Sequence, residues 1–349
     1  MADRAPILGD VARLAGVSKS TASRILGAPP GRRIPFAADT QDKVREAAER
    51  LGYTPSRLAR GLSRDRTGIV GLVIPSVKDS FFPSVTSEIE SRLAEKGYNV
   101  ILANTGGSSR IERAKIMDLL SWRVDGFVAA PSQGPDGGDV FWELWHRKVP
   151  FVLVDRSFPQ TPFFSVTTDD QRGAASAVDH LLSIGRTRIA RAGGPLDISS
   201  NRLRHAGYED ALVARGMKPE PRLAITVSPT LDGGHEAATR LLALTPRPDA
   251  LFCFSDIVAA GALEEFLDAG VSVPGDVALV GYADLEFSRI LRVPLTTVRQ
   301  PTALIGRTAA EMILARMEGR PAETSEIRLP VELIVRASTV KAPESRAEG

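Results

Sequence analysis

Apolar residues recur at helical spacing near the start of the chain. Val11, Leu14 and Ala15 share one stripe, and Ala22 and Ile25 continue an apolar face after a break at Gly16. This pattern predicts two short helices within 10–26, joined at the glycine, with Ser18 as N-cap of the second. The polar residues left on the outside of the second helix are suited to phosphate oxygens and base edges. They are Lys19, Ser20, Thr21, Ser23 and Arg24.

A third helix is predicted over 39–51, where Val44, Ala47, Ala48 and Leu51 repeat at helical spacing before Gly52. The segment between the second and third helices, GAPPGRRIPFAA, is predicted to be a loop because of its prolines and glycines. Its two adjacent arginines, Arg32 and Arg33, fit either phosphate contacts or an ordinary solvated loop.

A short basic segment follows Pro55. It places Leu58, Ala59 and Leu62 on one side of a two-turn helix surrounded by arginines. A helix of this length is unstable alone in water, where roughly twelve residues are needed. Two interpretations remain open. The segment is an ordinary basic linker, or it folds against the same segment of a second subunit in a DNA minor groove, with Leu62 as an apolar wedge.

From Thr67 onward, short apolar runs such as GIVGLVI, VILA, DGFVAA and PFVLVD alternate with helical stretches. The alternation predicts parallel, doubly wound α/β sheets. A second series of strands is predicted to begin near Phe164 with FFSVTT, and to continue with RIARAGG, RLAITVS, ALFCFSD and VALVGY. Ligands of such sheets bind beyond the carboxyl ends of the strands, so candidate ligand-binding residues are sought there.

Charge is distributed unevenly along the 349 residues. Residues 1–66 carry thirteen Lys and Arg against seven Asp and Glu, a net charge of +6, and the remaining 283 carry 31 against 35, a net charge of −4. A polyanionic partner is therefore expected for the N-terminal part. The length predicts two or three domains.

Several classes of protein are disfavoured by the sequence. The start, MADRAPILGD, lacks signal-peptide character, and no apolar run reaches eighteen residues, so a cytoplasmic protein without membrane contact is expected. The single Cys253 excludes disulfide scaffolds and multi-cysteine metal sites, and no cofactor or metal is expected. No nucleophile elbow, phosphate loop, dinucleotide fingerprint or zinc-protease motif occurs, which argues against an enzyme. The alternatives kept open are a small-molecule-binding or catalytic α/β protein with a helical accessory domain, and a periplasmic sugar carrier.

An extended series of motifs resembles the lactose-repressor and purine-repressor (LacI-type) family of bacterial transcription regulators. The similarity spans Ile7 to Thr339 and is carried by DVARLAGVSKSTASRIL, TQDKVREAAERLGYTPSRLARGL, GLVIPSVKDSFFPSV, VTTDDQRGA, RLRHAGYEDAL, VPGDVALVGYADLEF and PLTTVRQP. The resemblance implies a helix-turn-helix domain at 6–54, a hinge helix and linker at 55–66, and a two-lobed body at 67–340 that resembles periplasmic binding proteins. Its N-lobe would comprise about 67–165 and 298–329, and its C-lobe about 166–297 and 330–340. The polar tail 341–349 is expected to be disordered.

The same resemblance implies a set of DNA-binding residues. Lys19 and Ser20 would face bases at the start of the recognition helix, Arg24 would contact DNA farther along it, and Leu62 would wedge into the central base step. The full set is Ser18, Lys19, Ser20, Thr21, Ser23, Arg24, Thr40, Ser56, Arg57, Ala59, Arg60 and Leu62. The chain departs from the family in a longer loop after Leu26, in Ser56 instead of asparagine, and in Ala37 instead of a capping Ser or Thr.

Effector-binding residues are implied as well. Arg204 aligns with the arginine that reaches the effector in the family, and Phe81 and Phe82 are expected in the loop after the first strand. The full set is Phe81, Phe82, Asp155, Asp169, Arg204, Ser255, Asp256, Tyr282 and Asp284. Ala283 stands where the family often has an acidic residue, so a plain hexose or galactoside is not the expected effector.

The function implied is that of a repressor which binds a pseudo-palindromic operator as a homodimer or higher oligomer. Its partners would be double-stranded operator DNA and a small-molecule effector, such as a sugar or sugar derivative, bound between the two lobes. Neither the identity of the effector nor its sign of control follows from the sequence.

Overall fold

The computed structural model describes residues 4–27, 34–54, 66–134, 137–320 and 324–340. The chain divides into two compact units, Met1–Gly68, here called the head, and Ile69–Gly349, here called the body. Three expectations fall outside the described residues: the basic loop with Arg32 and Arg33, the hinge segment 55–65 and the tail 341–349.

The head consists of three helices, α1 (Leu8–Leu14), α2 (Lys19–Leu26) and α3 (Ala38–Arg50). Val11, Ile25 and Val44, one from each helix, are almost fully buried and form the centre of its core. Gly16 ends the first helix at a φ of +68°, a left-handed conformation that glycine adopts without strain. The predicted helix-turn-helix and third helix are therefore present.

The prediction was wrong for one residue of the apolar stripe. Leu14 is 46% exposed, whereas Ala12, which the sequence interpretation omitted, is buried. At 100° per residue, Val11, Ala12 and Ala15 point toward α2 and α3, while Leu14 lies about 100° away from their mean direction.

The body contains two six-stranded sheets. The first consists of strands β1 (Ile69–Ile74), β2 (Asn99–Asn104), β3 (Gly126–Ala129), β4 (Phe151–Val154), β5 (Ser165–Thr168) and β11 (Glu326–Leu329). The second consists of β6 (Ile189–Gly193), β7 (Ala224–Thr226), β8 (Ala250–Cys253), β9 (Ala278–Ala283), β10 (Thr296–Arg299) and β12 (Glu332–Ile334). Their strand orders are β11-β5-β4-β3-β1-β2 and β12-β10-β9-β8-β6-β7. All pairings are parallel except that of β10 with β12.

Helices cover both faces of each sheet. They are α4 (Phe81–Glu95), α5 (Ser109–Ser121), α6 (Asp139–His146), α7 (Asp170–Ser183), α8 (Ser199–Ala214), α9 (Leu231–Leu242), α10 (Asp256–Asp268) and α11 (Thr302–Met317). Short 3-10 helices occupy Pro221–Leu223 and Glu286–Arg289. Each sheet lies between two apolar clusters, as expected for doubly wound lobes. No helix in the described ranges has the length and apolar character to cross a bilayer.

The chain crosses between the lobes three times, and the first crossing lies later than expected. The segment FFSVTT was assigned to the second series of strands, but β5 pairs with β4 and β11 in the first sheet, with Val154 opposite Val166. The first crossing therefore follows Thr168. The second follows Arg299, the last residue of β10, and the third lies between Leu329 and Glu332. Hydrophobic pattern shows that a segment is a strand but not which sheet it joins.

Two helices in the second lobe approach unusually closely. A Cβ added to Gly207 of α8 would lie 2.0 Å from the backbone carbonyl oxygen of Gln171 on α7. Ala174 and Ala211 continue this contact with small side chains. The close approach fixes α8, which carries Arg204, against α7, which carries Asp170.

Candidate functional site

Ser18 organises the start of α2. Its Oγ accepts the backbone N–H of Thr21 at 3.1 Å and also lies 2.8 Å from Ser20 Oγ and 2.9 Å from Thr21 Oγ1. These bonds satisfy one of the free N–H groups at the helix start. The hydroxyls and cations predicted for DNA contact form one outer face, here called the reading face. Ser18, Lys19, Ser20, Ser23 and Arg24 are exposed and Thr21 is half-buried.

The two cationic side chains of the reading face, Lys19 and Arg24, pack against neighbouring residues. The guanidinium of Arg24 lies 5.2 Å from the centre of the Phe36 ring, a cation–π distance. The stem of Lys19 passes beside Gly9 of α1, where an added Cβ would lie 2.8 Å from Lys19 Cε. Packing therefore supports the guanidinium of Arg24 and the stem of Lys19, while both side chains remain exposed and accessible to a polyanion.

The third helix begins without a side-chain cap. Its N-cap residue, Ala37, has none to offer, and Gln41 instead donates a hydrogen bond from Nε2 to the carbonyl oxygen of Phe36 at 3.0 Å. Thr40, another predicted DNA-binding residue, is half-buried in the first turn of this helix. The remaining predicted DNA contacts lie outside the described residues. They are Ser56, Arg57, Ala59, Arg60 and Leu62.

Removal of the α2 cap tests its structural role. Ser18→Ala is expected to lower the free energy of unfolding of the head by about 1 kcal/mol, because an N–H at the helix start loses its acceptor. Thermal unfolding of the chain measures this effect, and amide hydrogen exchange in α2 assigns it to that helix. Ser23→Ala, at an exposed helical position, serves as the control and should change stability by less than about 0.5 kcal/mol. Equal stability of the two variants would contradict the role of the cap.

A cavity of about 340 Å³ lies between the two lobes of the body. Six of the nine predicted effector-binding residues line it: Phe81, Phe82, Asp155, Arg204, Ser255 and Tyr282. Further lining residues include Asp79, Gly106, Gly107, Arg156, Pro195, Ile198, Ser200, Asn201, Pro229, Phe254, Ile257, Ala283, Leu285 and Gln300. The cavity therefore combines an apolar wall with a small number of charged and hydrogen-bonding groups, as is usual for small-molecule sites.

Phe81 and Phe82 are the first two residues of helix α4 and do not lie in a loop, as the sequence interpretation had placed them. Their rings meet edge to face, with centroids 5.3 Å apart, and both are buried in the core of the first lobe. The side chains of Phe81 and Phe82 thus pack in the core and also line the cavity. They offer a ligand a fixed apolar surface.

Arg204 is the best-defined polar group of the cavity. It is 7% exposed and donates from Nε to Asp170 Oδ1 at 2.7 Å and from Nη1 to the carbonyl oxygen of Phe254 at 2.7 Å. Its guanidinium carbon also lies 3.8 Å from the centre of the Tyr282 ring. Within the described ranges Nη2 has no hydrogen-bond partner, so it remains available to a ligand.

The charges of Arg204 and Asp170 depend on each other. Burial alone would lower the pKa of Arg204, but Asp170, Tyr282 and Asp155 together outweigh that effect and raise it. Burial raises the pKa of Asp170 to about 6, a rise that the positive charge of Arg204 limits. Near pH 7 both groups are ionised, and Asp170 holds the arginine in place for the cavity.

The other three predicted effector-binding residues do not line the cavity. Asp169 is the N-cap of α7 and accepts the Arg172 N–H at 3.3 Å. Asp256 is fully buried behind the wall, where it accepts from Thr297 Oγ1 at 2.6 Å and from Leu285 N at 2.7 Å. Asp284 is held by Arg299 at 2.7 Å and Arg336 at 2.6 Å. All three were expected at the cavity because they lie near strand ends, but each is engaged with protein groups.

Several cavity residues escaped the sequence interpretation. Ser200 and Asn201 lie one helical turn before Arg204 on α8, so their spacing was a usable signal. Asp79 precedes Phe81 and accepts its backbone N–H at 3.0 Å. No local pattern distinguishes the neighbouring carboxylates of Asp169 and Asp170, so the one that points inward could not be predicted.

A hydrogen-bonded bridge joins the two lobes beside the cavity. The Oε1 of Gln133, which follows β3, accepts the backbone N–H of Ser199 at the start of α8 at 2.7 Å. The Nε2 of the same side chain donates to the carbonyl oxygen of Ser157 at 2.8 Å, and Ser157 N–H donates to Ser199 Oγ at 3.2 Å. The two lobes are therefore in direct polar contact in this structure.

Comparison with known proteins gives two family matches. Residues 7–56 match the bacterial regulatory proteins of the lacI family, and residues 178–339 match a periplasmic binding protein-like domain. The purine repressor PurR of Vibrio campbellii is 32% identical over 95% of this chain and 98% of its own length. The regulator GalR of Escherichia coli is 34% identical over 97% of this chain and 96% of its own length.

Solved structures agree with these matches. The lac repressor dimer bound to operator and the anti-inducer ONPF has a TM-score of 0.85 at 29% identity, covering 97% of this chain and 100% of that one. A complex of the regulator CelR with cellobiose has a TM-score of 0.72 at 32% identity, covering 95% of this chain and 99% of that one. With its helix-turn-helix head and its two-lobed body around a cavity, the chain belongs to the lacI family of ligand-responsive, DNA-binding bacterial transcription regulators.

Proposed function

We propose that this protein represses transcription by binding a pseudo-palindromic operator as a homodimer, and that a small molecule in the cavity between the lobes changes its affinity for DNA. The observation that carries the proposal is Arg204, a buried arginine fixed by Asp170 with one nitrogen left for a ligand. In this proposal the exposed reading face of α2 binds the operator DNA. The relatives named as repressors, and the lac repressor dimer on its operator, support this proposal.

The proposed domain division assigns DNA reading to 6–54, coupling to the hinge segment 55–66, and effector binding and dimerisation to 67–340. In the body we now assign the strand Ser165–Thr168 to the first lobe and all of Thr296–Arg299 to the second. A change in lobe closure would alter the separation of the two hinge segments in a dimer and thereby their ability to pack together on DNA. Leu62 is the proposed wedge of that segment.

The same proposal assigns no catalytic activity to the body and places the protein in the cytoplasm, where its DNA target lies. In the described ranges no group of three or more His, Cys, Asp or Glu is arranged to hold a metal ion.

Selection from a random DNA duplex library tests the DNA-binding half of the proposal. The full chain is expected to enrich pseudo-palindromic sequences, and its affinity for the enriched duplex should fall steeply with salt concentration. A chain that enriches no sequence, or whose binding is insensitive to salt, would contradict the proposal.

Replacement of Arg24 identifies its role within the reading face. Arg24→Ala is expected to weaken binding by about 1 to 3 kcal/mol and to relax preference at one base pair of each half-site, because a side-chain contact to a base edge is lost. A repeated duplex selection measures the preference. Arg50→Ala, at the exposed end of α3, is the matched control for loss of one positive charge and should leave the preference unchanged. An unaltered selection profile for Arg24→Ala would show that it reads no base.

A further inference from the structure

The charges around the effector cavity do not balance. The carboxylates that line the cavity or pair with its arginines belong to Asp79, Asp155 and Asp170, and the lining guanidiniums belong to Arg156 and Arg204. Arg204 pairs with Asp170 at 2.7 Å, and Arg156 lies 3.4 Å from Asp155. These five groups therefore carry one net negative charge, and Asp79 is the carboxylate among them that forms no ion pair, although the charges of Arg156 and Arg204 lie near enough to attract it.

Asp79 is held so that part of its carboxylate faces the cavity. Oδ1 accepts the backbone N–H of Phe81 at 3.0 Å, which fixes the side chain at the start of α4. Within the described ranges, Oδ2 has no hydrogen-bond partner. Burial raises the pKa of Asp79, and the nearby carboxylate of Asp155 adds to the rise, while the Phe81 N–H and the charges of Arg156 and Arg204 limit it.

The opposite wall of the cavity has different chemistry. The second lobe contributes the apolar side chains of Ile198, Phe254 and Ile257, together with the donors of Arg204 and Ser255. The Ser255 Oγ is buried and has no hydrogen-bond partner within the described part of the chain. A matching ligand therefore offers a cationic donor to Asp79, apolar surface to these side chains and a hydrogen-bond acceptor to Arg204 and Ser255.

We propose that the effector carries a protonated amine, which binds at the Asp79 carboxylate beside Asp155 and next to the Phe81 and Phe82 rings. This inference rests on the proposed function of the cavity as the effector site and names the class of ligand it takes. The ammonium neutralises the unpaired carboxylate, and the adjacent aromatic rings add favourable cation–π contact. A neutral sugar or alcohol of the same shape leaves Asp79 unpaired and binds more weakly.

The test uses matched pairs of probes that differ in one amine. Suitable pairs are glucosamine and glucose, galactosamine and galactose, tyramine and tyrosol, and putrescine and 1,4-butanediol. Binding to the full chain is measured by calorimetry and by the shift of the thermal unfolding midpoint, at pH 7 and constant ionic strength. At least one amine is expected to bind about tenfold or more tightly than its neutral partner, the ratio for about 1.4 kcal/mol.

Asp79→Asn is the decisive variant, because its amide oxygen can still accept the Phe81 N–H while the charge is lost. It is expected to abolish the preference for the amine. Asp197→Asn removes an exposed charge from the loop before α8 and is expected to keep the preference. Amine binding in no pair, equal binding of a neutral partner in every pair, or a preference that survives in Asp79→Asn would each overturn the proposal.

The outcome is separable from that of the proposed function. A chain that selects an operator but shows no amine preference refutes only the ligand class. A chain that prefers amines but selects no DNA sequence retains the amine site and loses its assignment as a repressor.

Discussion

Asp170→Ala is expected to lower the free energy of unfolding of the body by about 3 to 5 kcal/mol, the cost typical of breaking a buried ion pair from one side. Asp170 and Arg204 are 1% and 7% exposed and lie 2.7 Å apart. Loss of the carboxylate leaves the Arg204 charge buried, with the Phe254 carbonyl as hydrogen-bond partner and the Tyr282 ring beside it. Urea unfolding followed by tryptophan fluorescence measures the effect in the body, since all three tryptophans, Trp122, Trp142 and Trp145, belong to it.

Two further variants separate charge burial from simple loss of packing. In Asp170→Ala with Arg204→Met, both charges are gone, and much of the lost stability should return. Asp179→Ala removes a carboxylate from the exposed pair with Arg215, 3.7 Å apart, and should cost less than about 0.5 kcal/mol. The loss of unfolding free energy in the double variant is compared with the sum of the losses in Asp170→Ala and Arg204→Met. If the two were equal, the pair would contribute no coupling energy, contrary to the structure.

Glu112 is expected to make the stability of the body depend on pH. This carboxyl group on α5 is fully buried, accepts the Ser132 N–H at 2.6 Å through Oε1, and leaves Oε2 without a partner among the described residues. Burial raises its pKa from 4.5 to about 7. Because folding favours the protonated form, the associated stability is present below pH 4.5 and is lost as the pH rises to about 7. The loss amounts to about 3 kcal/mol.

Urea unfolding at pH 5 and pH 8 tests this dependence. The unmodified protein should be less stable at pH 8, and Glu112→Gln should reduce the difference by about 2.5 kcal/mol, the part of the loss that falls between these two pH values, because glutamine accepts the same N–H without a titrating group. Glu311→Gln, at an exposed position of α11, is the control and should keep the full difference. Asp170 and Asp256, whose pKa values burial raises to about 6, add a change of the same sign that persists in both variants. A Glu112→Gln variant with the original pH dependence would show that this carboxyl group does not titrate in the range.

The predicted effector-binding residues that line the cavity share a simple signal. Arg204, Ser255 and Tyr282 lie at or just beyond strand ends or on a helix that follows one, and the resemblance to relatives aligned them one by one. Asp169, Asp256 and Asp284 gave the same signal and are nevertheless engaged with the protein's own groups. Position along the chain brings a carboxylate near the cavity, but local hydrogen-bond partners decide whether it faces the ligand.

The sequence by itself determined the three head helices, the alternation of strands and helices in the body, and the reading face of α2. These features follow from periodicity and from glycines at helix ends, which are properties of a few neighbouring residues. Only the tertiary structure decided that β5 joins the first sheet, that Asp170 rather than Asp169 holds Arg204, and that Asp79 is left unpaired. These depend on contacts between residues far apart in the chain, where burial and partner geometry, rather than local pattern, set the free energy of each arrangement.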